Sequence, residues 1–116
     1  MASARRETAA GAYTFAVNRL YYAAFYAVSA ALLERQRSFR KHSGVRAAFH
    51  RDFIRTALLD VEWGKFYDRL FEDRQEGDYL ALVSFEQNYI EAQLNRCAAF
   101  LENLRPLIVS LSQAQG

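Results

Sequence analysis

Leu20-Tyr21-Tyr22-Ala23-Ala24-Phe25-Tyr26-Ala27-Val28-Ser29-Ala30-Ala31-Leu32-Leu33 contains one clearly polar residue, Ser29, and neither glycine nor proline. A segment apolar on nearly every side reads as the central helix of a bundle, here from about Tyr13 to Arg35. It is shorter than the roughly twenty apolar residues a bilayer span needs, so no membrane association is expected. Its tyrosines, Tyr21, Tyr22 and Tyr26, carry hydroxyls that require partners when buried, which points to a polar pocket or a subunit interface alongside.

Outward from this segment the helical pattern continues. A second helix is expected to begin at Ser43, whose hydroxyl can cap free amides, to present Val45, Ala48, Phe49 and Phe53 inward, and to end near Thr56. A third spans about Glu62 to Gly77, with Phe66, Leu70, Trp63 and Phe71 inward, acids on the other face and Gly77 as the stop. The fourth opens on a capping-box pair, Ser84 and Gln87, and carries Ile90, Leu94, Cys97, Leu101, Leu104, Ile108 and Leu111 at steps of four and three. Pro106 should bend it or weaken one turn. The tail, residues 112–116, is expected to fray.

With 116 residues, 52% of them hydrophobic, the chain suits one domain around one core, taken as residues 1–116. Five glycines and one proline are too little punctuation for an all-β fold, so the class is all-α. A single cysteine, Cys97, excludes an internal disulfide and suits a reducing cytoplasm. The net charge of +2 gives no global signal for nucleic acid, yet residues 35–55 carry seven basic residues against Asp52 alone. One edge is therefore basic, either as a solvated edge or as a surface for RNA or an acidic partner.

Conventional catalytic patterns are absent. His42 and His50 are eight residues apart, but no Cys, His or carboxylate cluster completes a metal site. There is no glycine-rich phosphate loop and no nucleophile elbow, so no metal and no cofactor is expected.

Three motifs remain: Asn18-Arg19-Leu20-Tyr21-Tyr22-Ala23-Ala24-Phe25-Tyr26, Lys41-His42-Ser43-Gly44-Val45, and Asp73-Arg74-Gln75-Glu76-Gly77-Asp78-Tyr79. In this order and spacing they resemble the HEPN domain family of prokaryotes. The resemblance implies an up-and-down bundle of four to five helices, a homodimer, and a role beside a minimal nucleotidyltransferase in a toxin and antitoxin pair. Family toxins are often metal-independent ribonucleases in which an arginine stabilises phosphate charge and a histidine moves protons. Here the arginine is Arg74, and the place of the histidine is taken by Tyr79. A tyrosine, with a pKa of about 10, is a poor base near neutrality. The resemblance instead makes Tyr79 a candidate acceptor for adenylylation by the transferase. Relatives also carry a full helix before the first motif, so residues 1–12 are expected to be a truncated or frayed first helix, unless the true start lies upstream.

From these motifs the candidate catalytic residues are Arg74, Tyr79 and His42, and the candidate ligand-binding residues are Arg19, Tyr22, Tyr26, Ser43 and Asp78. Arg19, on an otherwise apolar stretch, either pairs with Asp73 or Asp78 to fix the bundle or joins Arg74 in a phosphate-binding cleft. Arg37 and His42 also have an Arg-x4-His spacing, but lie outside the catalytic motif. Three functions follow: a toxin-like module binding a nucleotide or an RNA phosphate, an active endoribonuclease that recruits His42, or a structural dimer with no ligand. The ribonuclease reading requires His42 to lie near Arg74 in the folded chain.

Overall fold

The computed structural model of the chain describes residues 2–75 and 87–115. They form four helices, α1 (Ala2–Glu34), α2 (His42–Phe49), α3 (Val61–Gln75) and α4 (Gln87–Gln115), and a π-helical stretch, His50–Ile54, prolongs α2. There is no strand among the described residues, and the fold is the all-α, HEPN-like bundle expected. No helix among them is long and apolar enough to cross a membrane.

The 33 residues of α1 make a rod of roughly 50 Å that packs on α4, α3 and α2. Residues 2–12 are helical and run on into this rod. Nor is α1 buried all round. Leu20, Tyr21, Ala24, Val28, Ala31 and Leu32 face the core, while Phe15, Tyr26 and Leu33 are 60%, 65% and 59% exposed. The long apolar run is thus two surfaces, one packed and one open.

No glycine ends α1. Gln36 takes the left-handed conformation, φ 63°, and the Arg37 and Gln36 amides donate to the carbonyls of Leu32 (3.0 Å) and Leu33 (2.8 Å). That pairing caps two otherwise orphaned carbonyls, at the expense of a side chain in a conformation glycine adopts more readily.

Helix α2 starts one residue before the expected Ser43. Its N-cap is Lys41, with no side-chain cap bond, so Ser43 does not cap it and is exposed instead. The inward stripe is as expected, with Val45, Ala48, Phe49 and Phe53 buried. The widened turn has the Arg55 amide donating to the His50 carbonyl at 2.8 Å. Gly64 of α3 lets the two elements approach: a Cβ there would meet His50 Cε1 at 2.9 Å.

On α3, Phe66, Tyr67, Leu70 and Phe71 are buried. The expected stop at Gly77 and the capping residue Ser84 lie outside the described residues. The α4 seam is rotated from the sequence reading: Leu94 is 50% exposed, while Gln93 and Phe100 are buried at 7% and 1%. Gln93 is drawn inward because its amide donates to the Tyr89 hydroxyl. The helix continues through Pro106 to Gln115, beyond the point where fraying was expected. Phe49, Tyr67 and Phe100 form the middle of the core, with ring centroids 5.1 to 6.2 Å apart. Cys97 is a core residue, its thiol pKa pushed up by burial.

Candidate functional site

The polar centre of the bundle forms where α1, α2 and α3 converge. Buried Tyr21 and half-buried Tyr22 are adjacent on α1, so their rings fan out to neighbouring directions and meet edge to face at 5.4 Å. His42, the first residue of α2, places Nδ1 2.8 Å from the Tyr21 hydroxyl and stacks on Phe25 at 4.2 Å. Arg74, near the end of α3, crosses 52 residues of sequence to donate from a terminal guanidinium nitrogen to the Tyr22 hydroxyl at 2.9 Å. The same guanidinium lies 5.3 Å from the Tyr21 ring and 5.2 Å from the Tyr22 ring. The first two motifs and the arginine of the third are thereby joined through one tyrosine pair.

Arg74 has no carboxylate partner among the described residues, and its Nε is buried without a hydrogen-bond acceptor. A half-buried guanidinium on two aromatic faces, with donor capacity left over, favours an incoming anion. Its field acts on His42, whose pKa lies below the usual imidazole value because of burial and, second, the Arg74 charge. His42 is therefore neutral near pH 7. If Nδ1–H donates to Tyr21, Nε2 is left as a proton acceptor; in the other tautomer Nε2–H is a donor suited to a phosphate oxygen. Burial pushes the Tyr21 phenol up, so it stays protonated.

Of the remaining candidates, Tyr26 is exposed at the edge, its ring 5.9 Å from that of Tyr22. Arg19 is exposed one turn earlier on α1, its guanidinium over Phe15 at 5.5 Å. It does not pair with Asp73, because that carboxylate is held by Arg69 at 3.2 Å and by the Tyr89 hydroxyl. Asp73 is thus tied to Arg69 and Tyr89, and the other partner expected for Arg19, Asp78, lies outside the described residues. Ser43 lines a different hollow, with Arg46 and His50. Asp78 and Tyr79 lie outside the described residues. Arg37 turns away from His42 and pairs with Asp52 at 3.2 Å. No group of three metal-ligating side chains occurs among the described residues.

Two features were missed in the sequence. Tyr89 is one; nothing in its local pattern distinguishes it from other half-buried tyrosines. The other is Arg46, whose guanidinium lies 4.3 Å from the Phe71 ring. Its signal was the spacing of His42, Arg46 and His50 at successive fours, which aligns them on one side of α2.

The sequence comparisons agree with this architecture. A "UPF0332 protein" of Thermotoga maritima is 50% identical over 99 residues, covering 85% of this chain and 75% of that protein. A protein of Methanocaldococcus jannaschii named as a "putative toxin" is 36% identical over 104 residues, covering 90% of this chain and 71% of that one. No solved structure matches. The family model described as "HEPN domain" matches residues 1–107, so that the three motifs, and the centre that two of them and Arg74 build, fall within a chain that belongs to the HEPN domain family.

Proposed function

We propose that this chain is a toxin-like HEPN module whose α1–α2–α3 centre binds a phosphate of RNA or of a nucleotide, and that it works with a minimal nucleotidyltransferase. The observation that carries this reading is Arg74: a half-buried cation fixed by Tyr22 and two ring faces, yet paired with no carboxylate among the described residues. A phosphate would be met by the guanidinium's terminal N–H groups, a geometry to which Arg is suited. The toxin name of a relative at 36% identity supports the toxin-like part. The module is further read as a homodimer, because the exposed Phe15, Tyr26 and Leu33 give α1 an apolar edge of the kind that subunit contacts cover.

The position of His42 supports a second reading, a metal-independent endoribonuclease. An RNA 2′-hydroxyl would attack its own 3′-phosphorus as His42 Nε2 takes the proton, and the bond to the 5′-oxygen would break as that oxygen takes a proton from water, leaving a 2′,3′-cyclic phosphate and a 5′-hydroxyl. Arg74 would stabilise the charge that builds on the phosphate oxygens. Tyr79, the other candidate proton carrier and the candidate adenylylation acceptor, is tested in parallel.

The experiment is incubation with total RNA and no added metal, comparing wild type with Arg74→Ala, His42→Ala and Tyr79→Phe, alongside a binding measurement on each. Cleavage that Arg74→Ala and His42→Ala both abolish establishes the nuclease. RNA or nucleotide binding without cleavage, lost in Arg74→Ala, supports the binding module. Wild-type protein that neither binds nor cleaves sinks both readings.

A further inference from the structure

A second concavity, about 460 Å³, lies between the α2–π segment and α3, lined by Ser43, Arg46, His50, Arg51, Arg55 and Asp68. Its charges do not balance. Asp68 is engaged by His50 Nε2 at 2.8 Å and more loosely by Arg46 at 3.8 Å. Arg51 shares Asp52 with Arg37. Arg55 is exposed and pairs with no carboxylate among the described residues. Three arginines, Arg46, Arg51 and Arg55, thus line the hollow with one carboxylate, Asp68, and the excess cation faces it.

This hollow lies beside the Arg74 centre along one face of α2, where His42 belongs to the centre and His50 to the hollow. His42, Arg46 and His50 succeed one another every fourth residue, so the stripe from His42 to His50 covers about 12 Å. Arg46 lies between the two: its guanidinium is 4.3 Å from the Phe71 ring, that ring is 6.0 Å from the buried Tyr21 ring, and the Arg74 guanidinium is 5.3 Å from Tyr21. The two ends differ in chemistry. The Arg74 end has Tyr22 and Phe25, on which bases can stack, whereas the Arg55 end has guanidinium groups and no aromatic ring apart from His50. A mononucleotide would find no base slot there. A strand whose bases lie at the tyrosine end and whose phosphates run on along α2 would use both.

We infer that this hollow is a phosphodiester subsite, holding the backbone of a single-stranded RNA whose neighbouring phosphate sits on Arg74. The inference rests on the phosphate-binding reading of the Arg74 centre. Asp68 orients Arg46 and His50 in it without cancelling the excess charge.

The test uses labelled 2′-O-methyl RNA, which has no free 2′-hydroxyl and cannot be cleaved, as a dinucleotide and as an oligomer of about eight nucleotides. Binding of each is titrated against salt for wild type, Arg55→Ala and Arg74→Ala, after thermal melting shows the variants folded. Arg55→Ala should weaken the oligomer about three- to tenfold and lower the salt slope by about one, leaving the dinucleotide unchanged. Oligomer binding and slope equal to wild type in Arg55→Ala, with both ligands weakened by Arg74→Ala, overturn the subsite and keep the centre. No effect of either variant on either ligand overturns the centre and the subsite together. Inorganic tripolyphosphate is the remaining arm: if it binds in an Arg55-dependent way while the oligomer does not, the hollow takes free phosphates and the RNA assignment falls.

Discussion

Two arginines five residues apart on α3, Arg69 and Arg74, each reach a tyrosine hydroxyl on another helix, at 3.0 and 2.9 Å. Arg69 meets a closed circuit. It pairs with Asp73, and the Tyr89 hydroxyl accepts from Arg69 and Gln93 while donating to Asp73. Arg74 meets an open one: Tyr22 accepts a single bond, two rings flank the cation, and Nε has nothing to donate to. The same side chain on the same helix is in one place a structural tie and in the other a charge held in readiness. What separates them is the acid, since Asp73 is 3% exposed and committed to Arg69.

The largest effect should come from opening the closed circuit. Asp73→Ala removes a buried carboxylate, the acceptor of the Tyr89 O–H and the ion-pair partner of Arg69, which is already largely exposed; charged hydrogen bonds of this kind contribute about 2 kcal/mol to stability. Chemical denaturation should register that loss with the slope unchanged. A loss below about 0.5 kcal/mol would mean that the circuit is a surface ornament and that burial of Asp73 has another cause.

Arg74→Ala should behave in the opposite sense. Its contacts are one hydrogen bond to a neutral hydroxyl and two ring faces, and truncation also removes the buried Nε that lacks an acceptor, so unfolding free energy should change by about 1 kcal/mol or less. Affinity for a nucleotide or a short RNA should fall by about tenfold or more, since a phosphate loses its charged partner. The two variants compared by denaturation and by ligand titration form a crossed pair: one is deficient in stability, the other in binding. If Arg74→Ala is as destabilising as Asp73→Ala, the distinction between tie and reserve collapses, and Arg74 becomes a second structural group.

How far this contrast was visible beforehand depends on what the sequence encodes locally. The bundle was legible, because a run such as Leu20 to Leu33 and the stripe Val45, Ala48, Phe49, Phe53 state their helical period within a few turns. Arg74, Tyr22 and His42 stood out through their motifs, and their meeting needed the fold, since 52 residues separate Arg74 from Tyr22. The choice of partner for Asp73 was not legible. Arg19 and Arg69 were both available, and Arg69 holds Asp73 because it sits one turn away on the same helix. The end of α1 was equally silent, because Gln36 does in the left-handed conformation what a glycine would have announced. The rotation of the α4 seam toward Gln93 followed from Tyr89, a partner outside the apolar pattern being read.

The smallest effect is a pH dependence that reports Arg74's field directly. Burial first, and the Arg74 charge second, hold the His42 pKa below its ordinary value of about 6.5. The unfolded chain therefore takes up this proton before the folded one does. Stability linked to His42 is fully present above about pH 6.5 and is lost as pH falls from there toward the depressed folded value. Melting temperature should decline from neutral to mildly acidic pH in wild type, and His42→Phe should decline less. Every other side chain is common to both proteins, so the difference between the two profiles isolates His42. Arg74→Ala should fall between them, since it removes the second cause and leaves the first. An Arg74→Ala profile coincident with wild type would show that the guanidinium exerts no field at the imidazole, and the two would no longer belong to one centre.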